Sequence, residues 1–240
     1  MIETIKYNNE LIDLCPELSV CCLSVDNISA DVENNEIVGE NISSAKIKLE
    51  KYKSESSIPS ISLWRSAYRK VGIEPTKHRM AAESLLRRLR KSGDLPSHLH
   101  PLVVLCNSLS VKYHLPIAAL DADNIDGNLV VSFTKGGESY TTFQGEEIVM
   151  PPEEVSFIDN NNVAHARKWS HKQNAISVIT DNTSHALITI ESLITFDHDS
   201  LRSLIEEITS SIKDMWPSSN VSYEVKCNHD LRNDTFDIFR

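Results

Sequence analysis

The side chains able to do chemistry are scattered along this 240-residue chain, not grouped in a motif. There is no G-x-S-x-G elbow, no H-E-x-x-H pair, no Walker loop and no G-x-G-x-x-G turn. Nine histidines are spread singly, and His98 and His100, two apart, lack a third ligand for a metal. His171 lies near Lys168 and Lys172, where a base would have a depressed pKa, although a surface position is the plainer reading. Asn107 is a polar amide inside an apolar helix, so it must be hydrogen-bonded. It either caps a neighbouring backbone group or orients a ligand. Asp121 opens a stretch dense in turn formers, and Glu154 follows Pro151-Pro152 as a turn or strand-edge acid. Trp169, with Arg167, Lys168, Lys172 and Gln173, forms a basic-aromatic knot. Such a Trp can stack on a base or ribose, or be a core residue with a salt-bridged rim.

Charge narrows the field further. The formal net charge is −10, which argues against a general nucleic-acid coat. Yet nine of the 24 Lys and Arg residues lie between Arg65 and Lys91, against only Glu74 and Glu83. A basic face on an acidic body suits a specific polyanion dock, and equally a solvated helical face. The five cysteines include no C-x-x-C, so reduced thiols in a cytoplasmic protein are expected. No run of 18 apolar residues and no basic start before an apolar stretch occurs, so neither a membrane span nor a signal peptide is expected.

Positioning these side chains falls to the following elements. Residues 2–7 and 18–25 read as strands, with a short helix between them stopped by Pro16. Residues 43–53 have helical spacing, and the Ser/Pro stretch 54–60 reads as a linker. Leu63, Trp64, Ala67, Tyr68 and Val71 share one helical face that Gly72 closes. Ala81, Leu85, Leu86 and Leu89 form a second stripe, with Arg87, Arg88, Arg90 and Lys91 at its C-terminal end, where cations suit the helix dipole. Pro101 opens a third, largely apolar helix. From Pro116 onward, short strand-like runs alternate with turns such as Asp126-Gly127. Residues 186–194 form a further strand, 199–215 a helix with a stripe through Leu201 and Leu204, and 219–226 a last strand. Helices first and strands later predict an α+β fold. Three parts are expected: residues 1–59 as an N-terminal segment packing on the core, 60–228 as the main domain, and 229–240 as a loose tail.

Several of these strings, in this order, resemble one family. They are HRMAAESLLRRLRKSG, LPSHLHPLVVLCNSLSVKYHLPIAALD, GGESYTTFQGEE, PPEEVSFID, HARKWSHKQ and VITDNTSHALITIESL. Together they resemble the B3/B4 domain, the editing and tRNA-binding module of the bacterial phenylalanyl-tRNA synthetase β subunit, and more closely the free-standing proteins made of that domain. The resemblance implies a layered β-sandwich core packed by helices and a pocket for an aminoacyl group at the 3′ end of tRNA. In the synthetase that pocket hydrolyses tyrosine wrongly attached to the phenylalanine tRNA. Asn107 falls at the polar position of the TNY-like helix motif, and Thr180 and Thr183 match a T-x-x-T element. Ala118 stands where the family motif has a His that contributes to editing. The later synthetase Glu falls nearest Thr189 or Glu191. Where the free-standing form reads R-W-N-W-R-Q, this chain has Lys168 to Gln173, with His171 in place of the second Trp.

On that basis the expected function is deacylation of mischarged tRNA in trans, with recognition of tRNA or a free amino acid without chemistry as the alternative. Asn107 and Glu191 are the expected catalytic groups. Asn107, Asp121, Glu154, Trp169, Gln173 and Thr180 are expected to bind substrate, and Arg79, Arg87, Arg88, Lys91 and Lys172 to bind tRNA. No metal, cofactor, membrane or DNA partner is expected. The site should be a slot between the mid-chain helix and the later sheet, wide enough for an amino acid joined to a terminal adenosine.

Overall fold

In the computed structural model the described residues are 1–32, 36–193, 198–227 and 229–239, with side chains described throughout except at 198–201. Ile194, Asn228, Arg240 and the Leu201 side chain, which figure in the expected elements and boundaries, lie outside the described residues. The helices are α1 (Asn9–Leu14), α2 (Glu36–Glu50), α3 (Pro59–Lys70), α4 (Ala81–Ser92), α5 (Pro101–Tyr113), α6 (His198–Met215) and α7 (His229–Asn233). The first six strands are β1 (Ile2–Tyr7), β2 (Ser19–Val25), β3 (Ile117–Asp121), β4 (Gly127–Phe133), β5 (Ser139–Thr141) and β6 (Glu147–Val149). The rest are β7 (Val155–Ile158), β8 (Ala166–Arg167), β9 (Lys172–Gln173), β10 (Ala186–Ser192), β11 (Val221–Cys227) and β12 (Phe236–Asp237).

The fold is α+β, as expected. Two four-stranded sheets carry it, in the orders β12-β1-β4-β7 and β11-β2-β10-β3, with small hairpins β5-β6 and β8-β9. Strand alternation sorts the side chains of the second sheet. Cys21, Leu23, Val25, Ile117, Ala119, Ala186, Ile188 and Ile190 pack in one core with α5 and α6. Val20, Cys22, Leu120 and Leu187 point the other way, into a second core shared with β1, β4, β7, α3 and α4. The second sheet is thus the middle layer, apolar on both faces.

Local chemistry explains the helices. Pro59 and Pro101 open α3 and α5 with a preset φ. Gly93 ends α4 in the left-handed region at φ 78°, its N–H returning to the Leu89 carbonyl. Helix α5 packs against α2, α4, α6 and β3, which is why it is apolar nearly all round.

Two expectations about organisation change. Residues 1–59 do not sit on the outside of a later core, because β1 pairs with β4 and β12, and β2 lies between β10 and β11. Residues 229–239 are not loose. Leu231, Phe236 and Ile238 are buried, and β12 hydrogen-bonds along β1, so apolar burial outweighs the entropy of ordering them. Four of the five cysteines are buried and Cys227 is exposed; all five are unpaired.

Candidate functional site

β10 places Leu187, Thr189 and Glu191 on the inner face of the middle sheet, because alternate residues share a face. Glu191 is the exceptional one. It is 3% exposed, and a bare carboxylate there would be costly. Oε1 accepts from the Tyr7 hydroxyl at 2.8 Å and from the Trp169 indole N–H at 2.8 Å. Burial pushes its pKa up to about 7, against the pull of those two hydrogen bonds. Oε2 accepts no hydrogen bond among the described residues, and Glu191 lines a cavity of about 160 Å³. Since both donors are on Oε1, the proton of the neutral acid belongs on Oε2.

Ala118, Leu120, Cys106, Phe157 and Gln173 share the walls of that cavity, with Ser170, His171 and Lys172 at the more exposed end. At ~30 Å³ per water molecule, it holds roughly five waters. An aminoacyl group fits that space. The enclosed part has no room for a nucleoside as well, so the expected slot for amino acid plus adenosine narrows to an amino-acid-sized cavity open at one end. A wider cleft of about 770 Å³ opens on the outer face of the first sheet, lined by Asn128, Ser132, Lys135 and Asn160 among others. None of the expected site residues lines it.

The loop that carries Trp169 is strained and clamped. Lys168 and Trp169 both have left-handed backbones, at φ 48° and 63°. The buried Glu154 holds them. It meets Arg167 in a two-point pair at 2.9 and 3.1 Å, the Lys168 N–H at 3.0 Å and Lys168 Nζ at 2.9 Å. Those hydrogen bonds and cations keep its carboxyl below the usual range despite burial. The Trp169 N–H completes the clamp on the Val155 carbonyl at 2.7 Å.

Trp169 itself is 0% exposed. Its ring meets Trp64 edge-on at 4.9 Å and lies nearly parallel to Tyr68 at 6.3 Å. The expected base-stacking role is therefore corrected: this is a core Trp with a salt-bridged rim. Glu154 is likewise a structural clamp and not a substrate contact, because its oxygens are fully used.

Asp121 and Thr180 are corrected in the same way. Asp121 accepts from the Thr183 hydroxyl at 2.7 Å and caps the turn at Asp123 N–H, 3.1 Å away. Thr180 is exposed, and its N–H bonds to Thr183 Oγ1 at 3.0 Å. These residues pin the T-x-x-T turn to the end of β3. Asn107 is half-buried on α5 and does not line the cavity, whereas Val103 and Cys106 do. Gln173 does line it, and its Nε2 donates to the Ala119 and Ser177 carbonyls, tying the β8-β9 hairpin to β3.

Of the expected tRNA contacts, Arg87, Arg88 and Lys91 are exposed on α4, opposite the buried Ala82, Leu86 and Leu89. Lys172 is exposed at the cavity rim. Arg79 is half-buried, 3.8 Å from Glu83. Arg90, in the middle of the basic run, is structural: it binds Glu55 at 2.6 Å and the carbonyls of Leu49 and Tyr52. His100 is the N-cap of α5 through Nδ1. Among the described residues no group of three or more His, Cys, Asp or Glu could hold a metal ion, and no helix is long and apolar enough to cross a membrane. Sequence reasoning missed Tyr7, whose partner lies 184 residues away, and the cavity position of His171.

A search of curated proteins gives no match to the chain. Among solved structures it is similar to an N-terminal fragment of the phenylalanyl-tRNA synthetase beta-subunit from Pyrococcus horikoshii, at 7% identity and a TM-score of 0.47. The alignment covers 92% of this chain and 50% of that one, so the chain spans about half the length of that fragment. So distant a likeness carries over none of that enzyme's activity. The family comparison is stronger: the B3/4 domain model matches residues 63–206, more than half of the chain and the stretch that builds most of the cavity. The chain belongs to the B3/4 domain family.

Proposed function

We propose that the protein acts on the aminoacylated 3′ end of tRNA, hydrolysing the ester of a wrongly attached amino acid. The observation that carries this reading is the uncommitted Oε2 of Glu191 on the wall of an amino-acid-sized cavity. An ionised Oε2 attracts the α-amino group or holds a polar side-chain group. The apolar walls exclude bulk water around it. The exposed cations of α4 supply phosphate contacts for the rest of the acceptor end. Little more chemistry is needed, because an aminoacyl ester is already activated: a positioned water and a stabilised oxyanion suffice.

The test is deacylation of a panel of tRNAs, each charged with a non-cognate amino acid. Release of the amino acid from at least one species, faster than without protein, is expected. No turnover across the panel ends the hydrolase reading.

A second reading, recognition without chemistry, is favoured by Ala118. It lies on the cavity wall, where the family motif leads one to expect a His. Thermal shift against amino acids and aminoacyl-adenosine analogues selects it if a ligand stabilises the fold and no mischarged tRNA is hydrolysed.

A further inference from the structure

We infer that His171 is the general base of this site, its Nε2 taking the proton of the water that attacks the ester carbonyl carbon. The inference rests on the hydrolase reading above and adds the group that drives it.

A backbone neighbour fixes the tautomer. His171 Nδ1 lies 2.7 Å from the Arg79 carbonyl oxygen. A carbonyl only accepts, so Nδ1 carries the hydrogen, and in the neutral ring Nε2 carries the free lone pair. Nε2 has no hydrogen-bond partner among the described residues, and His171 lines the cavity.

The ring also sits where the reacting bond must lie. The enclosed space is amino-acid-sized and open at one end, which directs the ribose and the scissile bond toward the mouth. Glu191 is deep, on the inner sheet face, with Oε1 committed to two donors. His171 is half-buried at the open end, on the turn of the β8-β9 hairpin. That hairpin is fixed at one side by Glu154 and at the other by Gln173. The His78 ring meets His171 edge-on with centroids 5.1 Å apart, which holds the imidazole plane. Of the described residues lining the cavity, only His171 is an imidazole.

The surroundings keep this ring neutral. Burial lowers its pKa most, the Arg79 carbonyl opposes that, Lys172 and Lys168 lower it further, and Glu154 raises it. His78 is itself held low, by burial first and then by Lys168 and His171.

In the reaction, the water oxygen bonds to the carbonyl carbon as its proton passes to Nε2. The bond from that carbon to the ribose oxygen then breaks, and Nε2 returns the proton to that oxygen. The products are a free amino acid and a tRNA with an intact terminal hydroxyl.

The test is single-turnover deacylation by the full chain, using a mischarged tRNA that the wild type turns over. His171→Gln and His171→Ala should each lose about 100-fold in rate, the scale of general base catalysis. Affinity for the same tRNA ending in a non-hydrolysable 3′-aminoacylamide should stay within about threefold. Added imidazole should restore part of the rate of His171→Ala, which a purely structural role would not allow. The wild-type rate should rise with pH along a limb at or below the usual histidine range. Rates within twofold of wild type in both variants overturn the assignment and leave the hydrolase reading standing. So does a loss of rate matched by an equal loss of affinity, or a wild-type profile with no rising limb anywhere below about pH 8, measurable even if neither variant folds. Absence of hydrolysis by the wild type overturns both.

Discussion

The Trp169 indole N–H and Oε1 of Glu191 meet at 2.8 Å, joining a strained surface-proximal loop to the inner face of the middle sheet. The hydrogen bond does two things at once. It stabilises charge on a deeply buried carboxyl, and it fixes the floor of the cavity relative to its mouth.

Trp169→Phe removes that donor and leaves Oε1 with Tyr7 alone. A hydrogen bond to a charged group contributes roughly 1.5–3 kcal/mol, and the smaller ring adds a void beside Trp64. Urea unfolding at neutral pH should show a loss of about 3 kcal/mol. A loss below about 1 kcal/mol would mean that the indole N–H is readily replaced.

Glu191→Gln should change how stability responds to pH. The carboxyl has a pKa of about 7 when folded and 4.5 ordinarily, so the folded state holds the extra proton between those values. Stability from this group is therefore present below pH 4.5 and lost as pH rises through 7, by about 3 kcal/mol in all. Gln does not titrate, so the variant should gain on the wild type steadily across that window. Parallel stability curves for the two proteins between pH 4.5 and 8 would contradict the raised pKa.

Glu154→Ala takes the common partner from Arg167 and Lys168 and leaves two left-handed residues unsupported. The cations are 23% and 27% exposed, so water offsets part of the penalty of a broken buried pair. A loss of about 2–3 kcal/mol in chemical denaturation is expected. Faster amide exchange at Lys168 and Trp169 than in β10 should accompany it.

Replacing Arg87, Arg88 and Lys91 together with Gln should weaken tRNA binding while leaving the melting temperature within a few degrees, since all three side chains are exposed. Removing one cation from a phosphate lowers the salt slope by about 0.7–0.9, so losing three should flatten the plot of log affinity against log salt by about 2 to 3. An unchanged slope would put the phosphate-binding cations elsewhere. Arg90→Gln is the contrasting change: it should reduce stability through Glu55.

The elements were legible wherever local chemistry marks them. Pro101 and Gly93 are helix boundary signals, and the short, largely apolar run at 186–192 is a strand signal. Helix α2 begins at Glu36, seven residues before the expected start, because its first turns contain Gly39 and Asn41, which mask the periodicity. The ordered segment 229–239 was hidden because its stability comes from a distant partner, β1. The site was legible in part. Glu191, Gln173 and Lys172 do line one cavity. The placement of Asn107 was not readable, because a helix apolar on most sides has no single face that says which residue meets a ligand. Trp169 could be stacking surface or core on sequence alone. Only the packing of Trp64 and Tyr68 against it decides.

The cysteine distribution has a practical use. Burial pushes the thiols of Cys15, Cys21, Cys22 and Cys106 upward, with Cys15 at about 11 and Cys21 and Cys106 at about 12, so at neutral pH they are protonated as well as shielded. A maleimide dye should therefore mark Cys227 alone on the native protein, giving a fluorescent reporter on β11 without any engineered mutation.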